Sequence, residues 1–192
     1  PHEYTYITAT PFSWLEASYK YAEIKNLLYG PVTYSGNQTL KDKGFDLKVK
    51  IKKESYYFPE IAVGWNDLAG TGRFSGEYLV ASKNFGDFDL TLGMGWGALG
   101  QDNNIKNPFV SLNDEFSNRI RDSDQGGAFN YKTWFSGREI SLYSGLEYYM
   151  WKQGLVFKLE YDTTNPDIGY SGPEVPVSSR FNFGITRPIN KN

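Results

Sequence analysis

Four carboxylates, Glu77, Glu147, Glu160 and Asp162, are the side chains of this sequence most suited to acid–base chemistry. Two carboxyl groups held at the right separation hydrolyse glycosidic bonds, one as acid and the other as base or nucleophile. No sequence fixes such a separation, and carboxylates on strand walls more often solvate a surface than catalyse. No catalytic residue is therefore assigned, and the chain is expected not to be an enzyme. Asp122 and Asp124 in RIRDSDQGG have the spacing that opens a calcium loop, but the remainder of the EF-hand pattern is missing, so they read as a solvated loop. The single histidine, His2, gives neither a triad nor a zinc site. Without cysteine there is no disulfide framework, thiol nucleophile or thiolate metal site. Gly70, Gly72, Gly76 and Gly86 lack the spacing of a phosphate loop and read as turn or bulge residues. No metal or cofactor is expected.

What remains is charge arranged in rows. In FDLKVKIKKE, Phe45, Leu47, Val49 and Ile51 fall on one side of an extended strand and Asp46, Lys48, Lys50 and Lys52 on the other. The charged side could meet bulk water, a water-filled lumen or an acidic partner. The whole chain is close to neutral, with 20 Lys+Arg against 22 Asp+Glu, which argues against a nucleic-acid partner.

The same alternation returns along the chain. Leu15, Ala17, Tyr19 and Tyr21 alternate with Glu16, Ser18 and Lys20. Ile61, Val63 and Trp65 follow the same rule, as do Phe88, Leu90, Leu92, Met94 and Trp96 against Asp89, Thr91, Gly93, Gly95 and Gly97. Leu155, Phe157, Leu159 and Tyr161 oppose Val156, Lys158, Glu160 and Asp162, and Phe181, Phe183 and Ile185 oppose Asn182, Gly184 and Thr186. With less regular segments at 72–85 and 140–149, this gives about ten strands in one all-β domain over residues 1–192. Tight hairpins are expected around Gly86, Gly137 and Gly154, and long connections over 26–42, 98–130 and 163–178. SLNDEFSNRIR, within the second, reads as one short helix capped by Ser111 or Asn113. No run of 18 apolar residues exists, which excludes a transmembrane helix but not a transmembrane barrel.

Periodicity alone leaves two architectures open, a soluble β-sandwich or barrel and a membrane barrel. Two features favour the second. Tyr21, Trp65, Tyr78, Trp96, Tyr148, Trp151 and Tyr161 stand near strand ends, like the aromatic girdles of membrane barrels. Gly93, Gly95 and Gly97 stand on the polar side, where they leave room for opposing side chains or for a loop folded inward.

Residues 43–100 carry ordered strings: KGFDLK, a proline-containing turn before AVG, then GTGRFSGEYLVASKNFGDFDLTLGMGWGALG. PFSWLEASYKY, LYG at 28–30, NPF at 107–109, WFSG at 134–137, GLEY at 145–148, FKLEYD at 157–162 and FNFGIT at 181–186 extend the pattern over most of the chain. Together they resemble the YjbH family of bacterial exopolysaccharide- and capsule-associated outer-membrane proteins. The resemblance implies an antiparallel up-and-down β-barrel in the bacterial outer membrane, assisting export or assembly of an exopolysaccharide or capsule. It also implies that this chain is the first barrel portion of a larger one. Neither a lipidated cysteine, a signal segment nor a terminal aromatic residue is present, and the chain stops at Asn190, Lys191 and Asn192, as expected of a portion. The implied partners are outer-membrane lipid, the polysaccharide, other secretion components and the rest of the larger chain or a second barrel. On this reading Glu16, Lys20, Asp46, Lys48, Lys50, Lys52, Lys158 and Glu160 line a charged lumen. The alternative is a barrel that binds or modifies glycans as a lectin, hydrolase or lyase does.

Overall fold

The alternating segments hydrogen-bond into one antiparallel sheet in the computed structural model, which describes residues 2–70, 72, 74–100, 104–119, 131–163 and 177–187. The strands are β1 (His2–Phe12), β2 (Leu15–Leu28), β3 (Thr39–Lys52), β4 (Glu60–Asn66), β5 (Gly76–Phe85), β6 (Phe88–Gly95), β7 (Ile105–Lys106), β8 (Glu139–Met150), β9 (Leu155–Tyr161) and β10 (Phe181–Thr186). Their order is β1-β2-β3-β4-β5-β6-β8-β9-β10, each strand beside its predecessor, and β7 pairs only with the start of β8. The all-β character is therefore as the periodicity indicates, and the antiparallel up-and-down order is as the resemblance implies. Closure is not: among the described residues β1 pairs only with β2 and β10 only with β9, so the sheet is open.

Register decides which side chains share a face. Glu16 stands opposite Lys48, Ser18 opposite Asp46, Lys48 opposite Gly64, and Glu147 opposite Lys158, so the polar residues of successive strands form one continuous face. Tyr19 stands opposite Phe45, Leu79 opposite Met94, and Leu146 opposite Leu159, which gathers the apolar residues on the other. Among the described residues, no second layer covers the apolar face over most of its extent. Ile7 is 70% exposed, Leu92 56% and Phe183 83%. Such a continuous apolar surface needs a cover of lipid or protein, and a water-soluble sandwich, whose apolar faces would meet, is not what these strands form.

The connections segregate by length. The turns at 13–14, 53–59, 86–87 and 151–154 lie at one end of the sheet. The connections that leave β2, β4, β6 and β9 all start from the other. Gly86 (φ 71°) and Gly154 (φ 64°) occupy left-handed backbone in the hairpins expected at those positions. Gly137 does not make a hairpin: it leads from a 3₁₀ turn at Tyr131–Thr133 directly into β8.

Other boundaries differ from expectation because tertiary pairing extends strands through polar sequence. β2 runs to Leu28 and β3 begins at Thr39, leaving between them a one-turn helix α1 (Val32–Ser35). The helix expected in SLNDEFSNRIR is instead two 3₁₀ turns, Pro108–Ser111 and Asp114–Ser117, capped by the Asn107 and Asn113 side chains. Asn113 is thus a cap as expected, but the turn it opens is held down by tertiary contacts and never propagates. Pro11 lies within β1, the edge strand, where a missing N–H is tolerated. A small apolar cluster of Ile24, Leu40 and Phe74, with Leu27 against it, sits at the long-connection end.

Candidate functional site

The polar face is built on glycine. A Cβ at Gly64 would fall 2.2 Å from the Tyr78 ring, and one at Gly93 would fall 2.2 Å from the Tyr143 ring. Each tyrosine ring crosses the glycine of the adjacent strand, so two rings occupy the middle of this surface. Gly95 makes room in the same way for the turn around Leu99. The polar-side glycines thus do leave room for opposing side chains and for an inward chain segment.

Charges flank these rings. The Lys158 ammonium lies 2.5 Å from a Glu147 oxygen, and the Tyr149 hydroxyl donates to the other Glu147 oxygen at 2.7 Å. Lys50 pairs with Glu60 at 2.9 Å. Lys20 is buried, its ammonium 4.9 Å from the Phe74 ring centroid and 5.6 Å from that of Tyr4. Glu16, Lys20, Asp46, Lys48, Lys50, Lys158 and Glu160 all occupy polar-face register positions. Lys52 stands apart, because the register shifts after Lys50. Lys52 lies opposite Ile61 with its ammonium 3.6 Å from the Phe58 ring centroid.

Hollows among the described residues open along this face. Trp14, Phe12, Glu16, Lys48, Lys50 and Glu60 surround one of about 230 Å³ near the short turns. Tyr78, Tyr143, Asn66, Leu99 and Glu160 surround a second of about 330 Å³. Tyr143, Asp89, Glu147, Tyr149, Lys158 and Glu160 surround a third of about 420 Å³ above Gly145. Tyr143 and Glu160 belong to both of the larger ones. The alternation of Ser141, Tyr143, Gly145 and Glu147 carries this signal in the sequence, masked there by the aromatic run at 148–149 on the neighbouring positions.

The aromatic residues divide between the faces. Tyr21, Tyr148 and Tyr161 lie on the apolar face. Tyr148 stacks between Phe88 and Phe157, and Tyr161 meets Phe181. Tyr78 does not belong with them, because its register partner Gly64 puts it on the polar face. Trp151 lies in the β8–β9 turn, stacked on Tyr149 and donating to Asp87 at 2.8 Å, above the polar face. Trp96 is fully buried and is no girdle residue: Asn107, Phe109 and Phe135 of the β6–β8 connection cover it. Its indole donates to Asn107 at 3.1 Å, while Phe109 stacks on it and Phe135 meets it edge-on. Trp65 is covered by the same segment, against Trp134 and Phe135. Exposed aromatics absent from the sequence expectation mark the short-turn end instead: Phe12, Trp14, Tyr56, Tyr57 and Phe58. The strings PFSW and SYYF were their only signal.

Of the carboxylates considered for catalysis, Glu147 and Glu160 line the third hollow together and Glu160 and Asp162 the second, while Glu77 lies apart from them. Glu77, opposite Trp65, lies on the apolar-parity side and is buried in a two-pronged pair with Arg119 (2.6 and 3.0 Å), also accepting from the Phe135 amide at 2.9 Å. Glu147 and Glu160 lie on the opposite face. Asp122 and Asp124 lie outside the described residues. Among the described residues, no cluster of His, Cys, Asp and Glu suits a metal ion, and no helix is long and apolar enough to cross a membrane.

At the long-connection end, Asp67 (φ 54°) folds back toward β3. Its amide donates to Asp46 at 2.9 Å and its carboxylate accepts from the Phe74 amide at 3.2 Å. One oxygen each of Asp67 and Asp42 is buried without a hydrogen-bond partner. Burial, with Asp42 alongside, pushes the Asp67 carboxyl up to about 7.

The YjbH family model, described as "Exopolysaccharide biosynthesis protein YbjH", matches residues 1–191. An "Uncharacterized lipoprotein YjbH" from Escherichia coli (strain K12) is 43% identical over 185 residues, covering 95% of this chain. The chain spans about a quarter of that relative's length, 26%. No solved structure matches.

Proposed function

Because this chain belongs to the YjbH family of exopolysaccharide biosynthesis proteins, matched over residues 1–191, we propose that it forms part of an outer-membrane β-barrel that assists exopolysaccharide or capsule export without catalysis. The observation that carries the reading is the single-layer sheet with an uncovered apolar face and a charged, tyrosine-paved opposite face. Lipid is the cover proposed for the first, and a hydrated lumen for the second. The relative's description as a lipoprotein fits a cell-envelope location. Segregation of short turns and long connections to opposite ends supports this reading, since outer-membrane barrels share it, and the short-turn end is proposed to face the periplasm.

Closure requires more chain. Among the described residues the hydrogen-bonded path holds nine strands, so β1 and β10 run in the same direction and their union would be a parallel seam. Barrels of this kind are antiparallel and even-stranded, and an unpaired edge in lipid would leave its backbone groups unsatisfied. The proposed completion is an odd number of strands from the rest of the longer protein.

Density-gradient separation of cell membranes tests the proposal. The protein is expected in the outer-membrane fraction, resistant to carbonate extraction and heat-modifiable on electrophoresis. A full-length protein recovered monodisperse without detergent would overturn it.

A further inference from the structure

The hollow above Gly145 combines features that no structural role demands. A Cβ at Gly145 would meet nothing within 4 Å, unlike those at Gly64 and Gly93, whose space a neighbouring tyrosine fills. Its volume of about 420 Å³ falls within the range of small-ligand sites, about 300–1,000 Å³. Tyr143 forms one side, Glu147, Lys158 and Glu160 the others, and the second hollow continues past Tyr143 to Tyr78. Ring faces take up the C–H faces of sugars, and carboxylates accept hydrogen bonds from neighbouring hydroxyls, so the groups suit a pyranose.

Charge narrows the class. Asp89, Glu147 and Glu160 line the hollow against one cation, Lys158, whose ammonium is already held by Glu147. An anionic sugar entering here would meet an excess of carboxylates, in a site where water screens them less than in bulk. Resting on the reading of the polar face as the lumen of a barrel that assists polysaccharide export, we propose that the hollow above Gly145 is a subsite for a sugar unit without acidic groups, neutral or amine-bearing.

The full-length protein in detergent micelles can be titrated with glucosamine oligomers, cello-oligosaccharides and oligogalacturonates, reading tryptophan emission because Trp151 stacks on Tyr149 at the edge of the hollow. The first two are expected to bind, and oligogalacturonates roughly tenfold more weakly or not at all. Gly145→Trp should abolish binding with heat-modifiability unchanged. Glu160→Gln, which alters no packing, should narrow the gap by strengthening oligogalacturonate binding, and it decides the matter if Gly145→Trp does not fold. Preferred binding of oligogalacturonates, or no binding of the other two, overturns the subsite. A protein that sediments with the outer membrane yet binds none of them sinks this inference alone, whereas failure to enter the membrane sinks the reading beneath it.

Discussion

At the scale of single residues, glycine and tyrosine are paired parts of one device. Gly93→Val would drive its side chain into the Tyr143 ring, 2.2 Å from the position of the new Cβ. The expected cost is about 1–3 kcal/mol, read as a lower midpoint of urea unfolding in micelles or liposomes. Gly145→Val, at an open site on the same face, should leave that midpoint nearly unchanged. Asp67 gives a pH signature. Its folded-state carboxyl is raised from 3.8 to about 7, so the folded form holds the proton more tightly than the unfolded chain. The corresponding stabilisation is complete below the unfolded value and is lost as pH rises through about 7. Hydrogen exchange of the 67–75 connection should therefore quicken between pH 5 and 8, and Asp67→Asn should flatten the change. The tyrosine over Gly93 was not legible in the sequence, since strand alternation fixes a residue's face but not which neighbouring strand its ring crosses.

At the scale of elements, the connection between β6 and β8 is fastened by buried polar groups. Arg119 grips Glu77 with two nitrogens and donates to the Thr133 carbonyl at 3.1 Å, and Asn107 donates to the Phe135 and Gly137 carbonyls at 2.9 and 2.8 Å. Breaking a buried pair by removing one partner leaves an uncompensated charge, at about 3–5 kcal/mol. Arg119→Ala is accordingly expected to expose residues 107–119 and 131–136 to limited proteolysis, and Glu77→Gln to do so less. The two hairpin glycines, Gly86 and Gly154, were legible because a tight turn needs left-handed backbone within a few residues. The clamp was not, because Glu77 and Arg119 are brought together across 42 positions.

At the scale of the molecule, the proposed environment makes the apolar face the sensitive one. Leu92→Arg, near the middle of β6, is expected to cost about 2–4 kcal/mol in a bilayer, read from folding titrations into liposomes. The same change on a sheet facing water would cost nearly nothing. Paired cysteines on β1 and β10 test closure: they should fail to cross-link to each other in the full-length protein, whereas cysteines at Phe183 and Leu159, which are register partners, should join. A β1–β10 cross-link at high yield would refute completion by additional strands.

Alternation of polar and apolar residues was enough to determine the strands, their two faces and most short turns, because each is fixed by neighbours along the chain, and the ordered strings of residues 43–100 carried the resemblance to the family. Tertiary structure alone decided that Tyr78 paves the polar face, that Trp65 and Trp96 lie beneath a connection, that Lys52 leaves the row of its fellow lysines, and that the sheet stays open. These depend on register, bulges and the parity of strands, which are properties of pairing between distant segments and leave no periodic trace in either one.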